Sequence, residues 1–192
     1  MKPIVLASSS SRRKELLEKI GLKFQTIATD YDEDMSLPMA PLELAIHLSG
    51  GKARKAAEVF KNHIVIAADT FVLLDNLIMG KPHSSEEAQN MLEKISDKMI
   101  TVITGYTIID TGENKIKSNS VATKVYIKHL TKHEILAYVR SGEPLDKAGA
   151  FAIQGLGSLI VTKIEGDFYN VMGLPIFDLA QSMKEFGIHI LS

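Results

Sequence analysis

The chain has 192 residues, of which 45% are hydrophobic and 23% charged, and its formal net charge is −1. This composition predicts a single globular domain over residues 1–192, and the absence of cysteine excludes disulfides and thiolate sites. The charge balance favours neither a nucleic-acid nor a membrane partner, and with no signal or membrane-spanning pattern we expect a cytoplasmic protein.

Strands and helices alternate along the chain, which predicts an α/β fold. Hydrophobic periodicity and turn residues give the first elements as strand 4–7, helix 11–20, strand 24–28, helix 41–60, strand 63–68 and a hairpin of 71–74 with 77–79. The later elements are a helix from 84 or 85, strands 101–109 and 115–127, helix 131–139, a glycine-rich loop 142–157, strand 159–164 and helix 171–186. Because hairpins are antiparallel, we expect a mixed sheet.

The first predicted helix begins in an unusual way. Ser10 or Ser11 is a good N-cap, yet Arg12, Arg13 and Lys14 follow at the positive end of the helix dipole. Cations are disfavoured there by about 0.3–1 kcal/mol each. A solvated helix face is the simpler explanation, but a bound anion would remove the electrostatic penalty.

A carboxylate follows the strand "IVIAA" at Asp69. A two-residue Asp75–Asn76 turn pairs Leu74 with Leu77, and the same register pairs Thr70 with Lys81. Asp69 would then end a buried strand beside an amine, as a structural ion pair or as part of a site. If strands 4–7 and 63–68 are neighbours, the basic helix start shares this edge of the sheet.

Three further features are each open to two interpretations. Lys52 is either a site cation or part of an exposed helix face. The acidic loop 30–34 is either a solvated turn or a source of magnesium ligands, since that ion needs only one or two carboxylates beside substrate phosphates. Gln154 carries both a donor and an acceptor, which suits a uracil edge, but it could equally be a satisfied loop amide.

Familiar nucleotide and hydrolase motifs are missing from the chain. It has no G-x-x-x-x-G-K-[ST] loop, no G-x-G-x-x-G after a strand, and no G-x-S-x-G elbow. This argues against a P-loop enzyme, a dinucleotide-binding fold and an α/β-hydrolase.

Five stretches in order resemble the Maf family of nucleoside triphosphate pyrophosphatases. They are "LASSSSRRKELL", Lys52-Ala53, "IVIAADTFVLLDNLIMGKP", "SGEPLDKAGAFAIQG" and "IEGDFYNVMGLPI". The resemblance implies an α/β fold with a mixed, strongly bent sheet, flanking helices and a deep nucleotide-binding cleft. It also implies hydrolysis of a nucleoside triphosphate to the monophosphate and pyrophosphate with Mg²⁺ or Mn²⁺, and it is compatible with a homodimer.

The resemblance assigns roles by position. Asp69 matches the catalytic aspartate and a metal ligand, and Asp32 or Glu33 matches an acidic position near the metal. The phosphate-binding positions are Ser8, Arg12, Arg13, Lys52 and Lys81. Arginine, threonine and glutamine at Arg12, Thr70 and Gln154 match the branch that acts on dTTP and UTP, whereas the branch that prefers 7-methyl-GTP has tryptophan, glutamine and glutamate there.

Some positions depart from the family pattern. Ser11 replaces a proline, Asn76 replaces a turn glycine, and Ile100 replaces a histidine, so any contact of that histidine is lost. Two other functions remain open. One is a non-catalytic nucleotide-binding regulator of septum formation, and the other is a pyrophosphatase for purine triphosphates of the inosine type, against which Thr70 and Gln154 weigh.

Overall fold

A computed structural model describes residues 2–191. The strands are β1 (Ile4–Ala7), β2 (Gln25–Ile27), β3 (Ile64–Leu74), β4 (Leu77–Met79), β5 (Met99–Asp110), β6 (Lys115–Ile127) and β7 (Val161–Glu165). The α-helices are α1 (Ser11–Lys19), α2 (Pro41–Val59), α3 (Ser85–Ile95), α4 (Lys132–Arg140), α5 (Phe168–Val171) and α6 (Ile176–Met183). Short 3₁₀ turns cover Glu143–Asp146, Ala148–Ala150, Gly155–Leu159 and Lys184–Phe186.

The strands form one mixed sheet flanked by helices, in the order β2-β1-β3-β5-β6-β7, with β4 paired to β3. β1 runs parallel to both β2 and β3, and Ala7 lies opposite Ala67. The β3–β4 and β6–β7 pairs are antiparallel, and Leu74 lies opposite Leu77 as predicted. The predicted α/β fold with a mixed sheet is therefore confirmed, as is the adjacency of β1 and β3.

The chain divides into two compact units. The first takes in the described residues of 1–69, 104–121 and 173–192, and the second comprises Thr70–Ile103 and Ala122–Met172. The strands β3, β5 and β6 each pass from one unit to the other, so neither unit is a continuous stretch of chain. The prediction of a single domain stays a prediction.

One hydrophobic cluster of the first unit is rich in small side chains. Ala7, Val65 and Ala67 of the parallel strands pack with Ala53 and Ala56 of α2. At Gly105 of β5 an added Cβ would overlap the backbone carbonyl of Ala45. Helix α2, which carries Lys52, thus lies directly on the strands, because alanine and glycine allow a close approach of backbones.

The second unit has a mostly aliphatic core to which α3 contributes several side chains. It includes Leu92 and Ile95 of α3, Val102 of β5, and Ile100, whose exposed fraction is 0%. Ile100 therefore serves packing at the position where the family has histidine. No helix within residues 2–191 combines the length and apolar character needed to cross a membrane.

Two local predictions were wrong. The strand does not end at Asp69, because the β-forming residues that follow it extend β3 to Leu74. The final helix is divided into α5 and α6 around Gly173, which has φ of 106°, and Pro175. In the β3–β4 turn, Asp75 takes a positive φ, of 53°.

Candidate active site

Helix α1 begins as its sequence predicts. Ser10 is the N-cap, and its hydroxyl accepts from the Arg13 N–H. The first turn has no acidic side chain of its own, and Arg12, Arg13 and Lys14 stand at the positive end of the helix dipole. For Arg13, the negative charges of Asp69 and Glu33 act in the favourable direction.

The two arginines differ in their surroundings. Arg13 is only 8% exposed, and its Nε donates to the Gly173 carbonyl at 2.8 Å while Nη1 donates to the Ser8 hydroxyl at 3.2 Å. Burial lowers the pKa of Arg13, and the charge of Asp69 acts in the opposite direction. Arg13 therefore fixes Ser8 and the start of α1, whereas Arg12 is partly exposed. The phosphate-binding roles of these residues stay predictions.

A buried charge cluster lies on β3. Asp69 is 3% exposed, and Lys52 of α2, which is 9% exposed, forms an ion pair with its Oδ1. Lys52 Nζ also lies 2.8 Å from Glu33 Oε1. Lys52 is therefore not part of an exposed helix face. Of the two acidic candidates, Asp32 and Glu33, it is Glu33 that contacts Lys52.

Burial raises the pKa of Asp69, and the nearby charges of Lys52 and Arg13 oppose that rise without cancelling it. One of the two carboxylate oxygens, Oδ2, is buried and makes no hydrogen bond to any atom of residues 2–191. A raised pKa favours proton acceptance, and an unpartnered oxygen can accept a proton or contact a cation.

These carboxylates suit the Mg²⁺ or Mn²⁺ that the family resemblance implies. Both ions prefer oxygen ligands, and Mg²⁺ is commonly held by one or two carboxylates with substrate phosphates. Asp69 offers its unpartnered Oδ2, and Glu33 lies across Lys52 from it. Among residues 2–191 no three histidine, aspartate or glutamate side chains are grouped as a metal site. The carboxylate oxygens that fit such an ion are those of Asp69 and Glu33.

The remaining predicted residues, Thr70, Lys81 and Gln154, belong to the second unit. Lys81 is exposed and follows β4, and the β3–β4 ladder runs only from Leu74–Leu77 to Val72–Met79, so it does not include the predicted Thr70–Lys81 pair. The amine found on Asp69 is instead that of Lys52. Gln154 is partly exposed and directly precedes the 3₁₀ turn at Gly155.

The glycine-rich loop is attached to these strands through Gly149. Its N–H donates to the Gly80 carbonyl at 2.9 Å, next to Lys81. Gly149 has φ of 64°, and an added Cβ would lie 2.7 Å from Val72 on β3. The loop is thereby held close to β3 and to the segment that follows β4.

Glu143, a residue not predicted from the sequence, anchors the loop around Gln154. Its carboxylate accepts from the N–H groups of Leu156 and Gly157, both at 2.9 Å, and from the Tyr138 hydroxyl at 3.0 Å. Burial raises the pKa of Glu143, but these hydrogen bonds outweigh it and hold the pKa below its usual range. The sequence feature that could have indicated this role is an acidic residue in the same loop as the Gly155-x-Gly157 turn, whose backbone N–H groups need acceptors.

Comparison with known proteins finds relatives along almost the whole chain. A family model described as Maf-like protein matches residues 3–186. A protein of Methanococcoides burtonii named dTTP/UTP pyrophosphatase is 49% identical over 191 residues, covering 99% of this chain and 98% of its own. One of the same name from Caldicellulosiruptor saccharolyticus is 46% identical over 195 residues, with coverage of 100% and 98%.

Among solved structures, a HAM1 protein from Coxiella burnetii has a similar fold. The TM-score is 0.56 at 18% sequence identity, and the match covers 96% of this chain and all of the other. The structural match supports the fold, while the family model and the relatives along the whole chain show that this protein belongs to the Maf-like family.

Proposed function

We propose that this protein hydrolyses dTTP and UTP to the nucleoside monophosphate and pyrophosphate. The observation that carries the proposal is the buried Asp69 of β3, which is paired with Lys52 through one oxygen and keeps the other unpartnered. A lysine buried for packing alone is rare, and a carboxylate facing anionic phosphates needs a chemical reason. The relatives named dTTP/UTP pyrophosphatase supply the reaction.

The proposed reaction is an attack of water on the α-phosphorus. The water oxygen bonds to that phosphorus, and the bond to the oxygen bridging the α and β phosphates breaks, which releases pyrophosphate. Asp69 accepts the proton of the water through Oδ2. Lys52, Arg12 and Lys81 offset the phosphate charge, because such reactions are promoted chiefly by positioning and by electrostatic stabilisation.

Asp69 and Glu33 are the residues that would hold Mg²⁺ or Mn²⁺. When bound, such an ion neutralises phosphate charge and polarises the phosphoryl oxygens. Lys52 lies between the two carboxylates and offsets their mutual repulsion. The predicted homodimer and cytoplasmic location stay predictions.

Base choice is assigned to Gln154, with Arg12 and Thr70. The Gln154 amide has a carbonyl that can accept from uracil or thymine N3–H and an NH₂ that can donate to O4. Glu143 supports this role because it fixes the backbone amides of Leu156 and Gly157, two and three residues after Gln154.

The proposal is tested by pyrophosphate release from dTTP, UTP, CTP, ITP, GTP and 7-methyl-GTP, first with Mg²⁺ and then with Mn²⁺. We expect release from dTTP and UTP above the others, with the monophosphate as co-product. Binding of nucleotide without release would favour the regulator of septum formation. Release chiefly from ITP would favour the purine enzyme instead.

Replacing Gln154 by glutamate should lower kcat/KM for dTTP and UTP by about tenfold or more, since a site built around a donor–acceptor pair discriminates strongly when one member is lost. A carboxylate cannot donate to O4. The same change at exposed Gln181 of α6 is the matched control. Equal kcat/KM values in the two variants would remove Gln154 from base recognition.

A further inference from the structure

Helix α2 has two adjacent glycines in its middle, Gly50 and Gly51. Each glycine in a helix interior costs about 0.5–1 kcal/mol relative to alanine, so two together need an explanation. Gly51 has one: an added Cβ would overlap atoms Cζ, Cε2 and Oη of Tyr31. The tyrosine side chain therefore packs against the helix at a position where only a hydrogen atom fits.

Gly50 provides the contrast. An added Cβ there would lie 3.3 Å from the Arg54 guanidinium, the movable end of an exposed side chain. Nothing rigid opposes a side chain at position 50. The steric requirement for glycine thus belongs to Gly51 alone, and it comes from the loop that carries Tyr31.

That loop also carries Glu33, two residues further on. Lys52, the residue that Glu33 contacts, directly follows Gly51 on α2. The contact between Tyr31 and Gly51 and the ion pair between Glu33 and Lys52 are therefore neighbouring attachments between the same loop and the same turn of helix.

We propose that Tyr31, through its contact with Gly51, is a positioning residue that holds Glu33 against Lys52 and thereby keeps Lys52 directed at Asp69. Glu33 is 40% exposed, and an ion pair with so exposed a partner contributes about 0–1 kcal/mol by itself. Such a pair alone leaves the loop free to open. The aromatic contact adds buried area next to it and limits that opening.

This inference rests on the proposed pyrophosphatase activity, which serves as one of its two measurements. Gly51→Ala is the main variant, and Gly50→Ala is its control in the same helix. Both substitutions favour helix formation, but Gly51→Ala also displaces the Tyr31 ring, so circular dichroism at the assay temperature must first show that both variants are folded. We expect Gly51→Ala to reduce kcat for dTTP by about tenfold or more, since small misplacements of catalytic groups are costly, while Gly50→Ala stays near wild type.

The second measurement is hydrogen exchange of the backbone amides in residues 30–36 without nucleotide. Gly51→Ala should speed this exchange, and Gly50→Ala should not. Tyr31→Ala releases the loop without adding an atom to α2, and should match Gly51→Ala in both measurements. Tyr31→Phe keeps the ring and should restore both.

Two results would overturn the inference: equal kcat in Gly51→Ala and Gly50→Ala, or unchanged exchange in Gly51→Ala and Tyr31→Ala. Failure of the proposed function has a different signature, because the wild-type protein itself would then release no pyrophosphate. The exchange measurement would still decide whether Tyr31 holds the loop.

Discussion

Replacing Asp69 by asparagine is expected to lower kcat for dTTP and UTP by about a thousandfold or more, because the substitution removes both a proton acceptor and a metal-binding oxygen. The side chain keeps its shape, and Lys52 keeps Glu33 as an ion-pair partner. Nucleotide binding should therefore persist. The measurements are pyrophosphate release and nucleotide affinity by calorimetry, each with Mg²⁺ present.

Asp75→Asn is the matched control for this variant. Asp75 is exposed in the β3–β4 turn at φ of 53°, a conformation that asparagine also accepts. Its kcat should equal that of wild type. A kcat for Asp69→Asn within tenfold of the control would remove Asp69 from the chemistry.

Replacing Lys52 by methionine is expected to abolish turnover and also to destabilise the fold. It leaves Asp69 buried without its ion-pair partner, and breaking a buried pair in this way typically costs about 3–5 kcal/mol. Lys55→Met, an exposed change three residues along α2, is the control. Urea unfolding monitored by circular dichroism gives the free energies of unfolding of both variants.

The pH dependence of that destabilisation has a defined sign. Without Lys52 the pKa of Asp69 rises further, so the folded state binds a proton more tightly than the unfolded state does. Because the unfolded state is common to both variants, the deficit of Lys52→Met against Lys55→Met should be absent below the folded-state pKa of Asp69 in the control, which burial already raises. It should grow as the pH rises from that pKa to the higher folded-state pKa in Lys52→Met and then stay constant. If the difference in free energy of unfolding between the two variants does not change with pH, lost packing and not the charge of Asp69 is its cause.

The polar positions of the first unit show how far sequence patterns reach. Ser10 was predictable as an N-cap from its place between an apolar strand and an amphipathic helix. The burial of Lys52 was also open to prediction, since Leu48 and Ala56, four residues away on either side, are both buried. The neighbouring cations Arg54 and Lys55, which are exposed, suggested instead that Lys52 lies on an exposed helix face.

Other features depend on contacts that periodicity does not encode. Asp69 is tolerated inside β3 because Lys52, 17 residues earlier in the chain, offsets its charge. The hydrogen bonds of Glu143 to the loop amides depend on the path of a 3₁₀ segment rather than on any repeat. Such long-range pairings are settled by packing, which local propensity only weakly constrains.

The hydrogen bond from Arg13 to the Gly173 carbonyl joins residues 160 positions apart. During synthesis on the ribosome, the serine–arginine turn therefore emerges long before the backbone group that holds it. The ribosome makes the whole second unit, Thr70–Ile103 and Ala122–Met172, in this interval. Nascent chains shorter than 173 residues thus lack the carbonyl to which Arg13 Nε donates in the folded protein, and the start of α1 gains this hydrogen bond only in the last stage of translation.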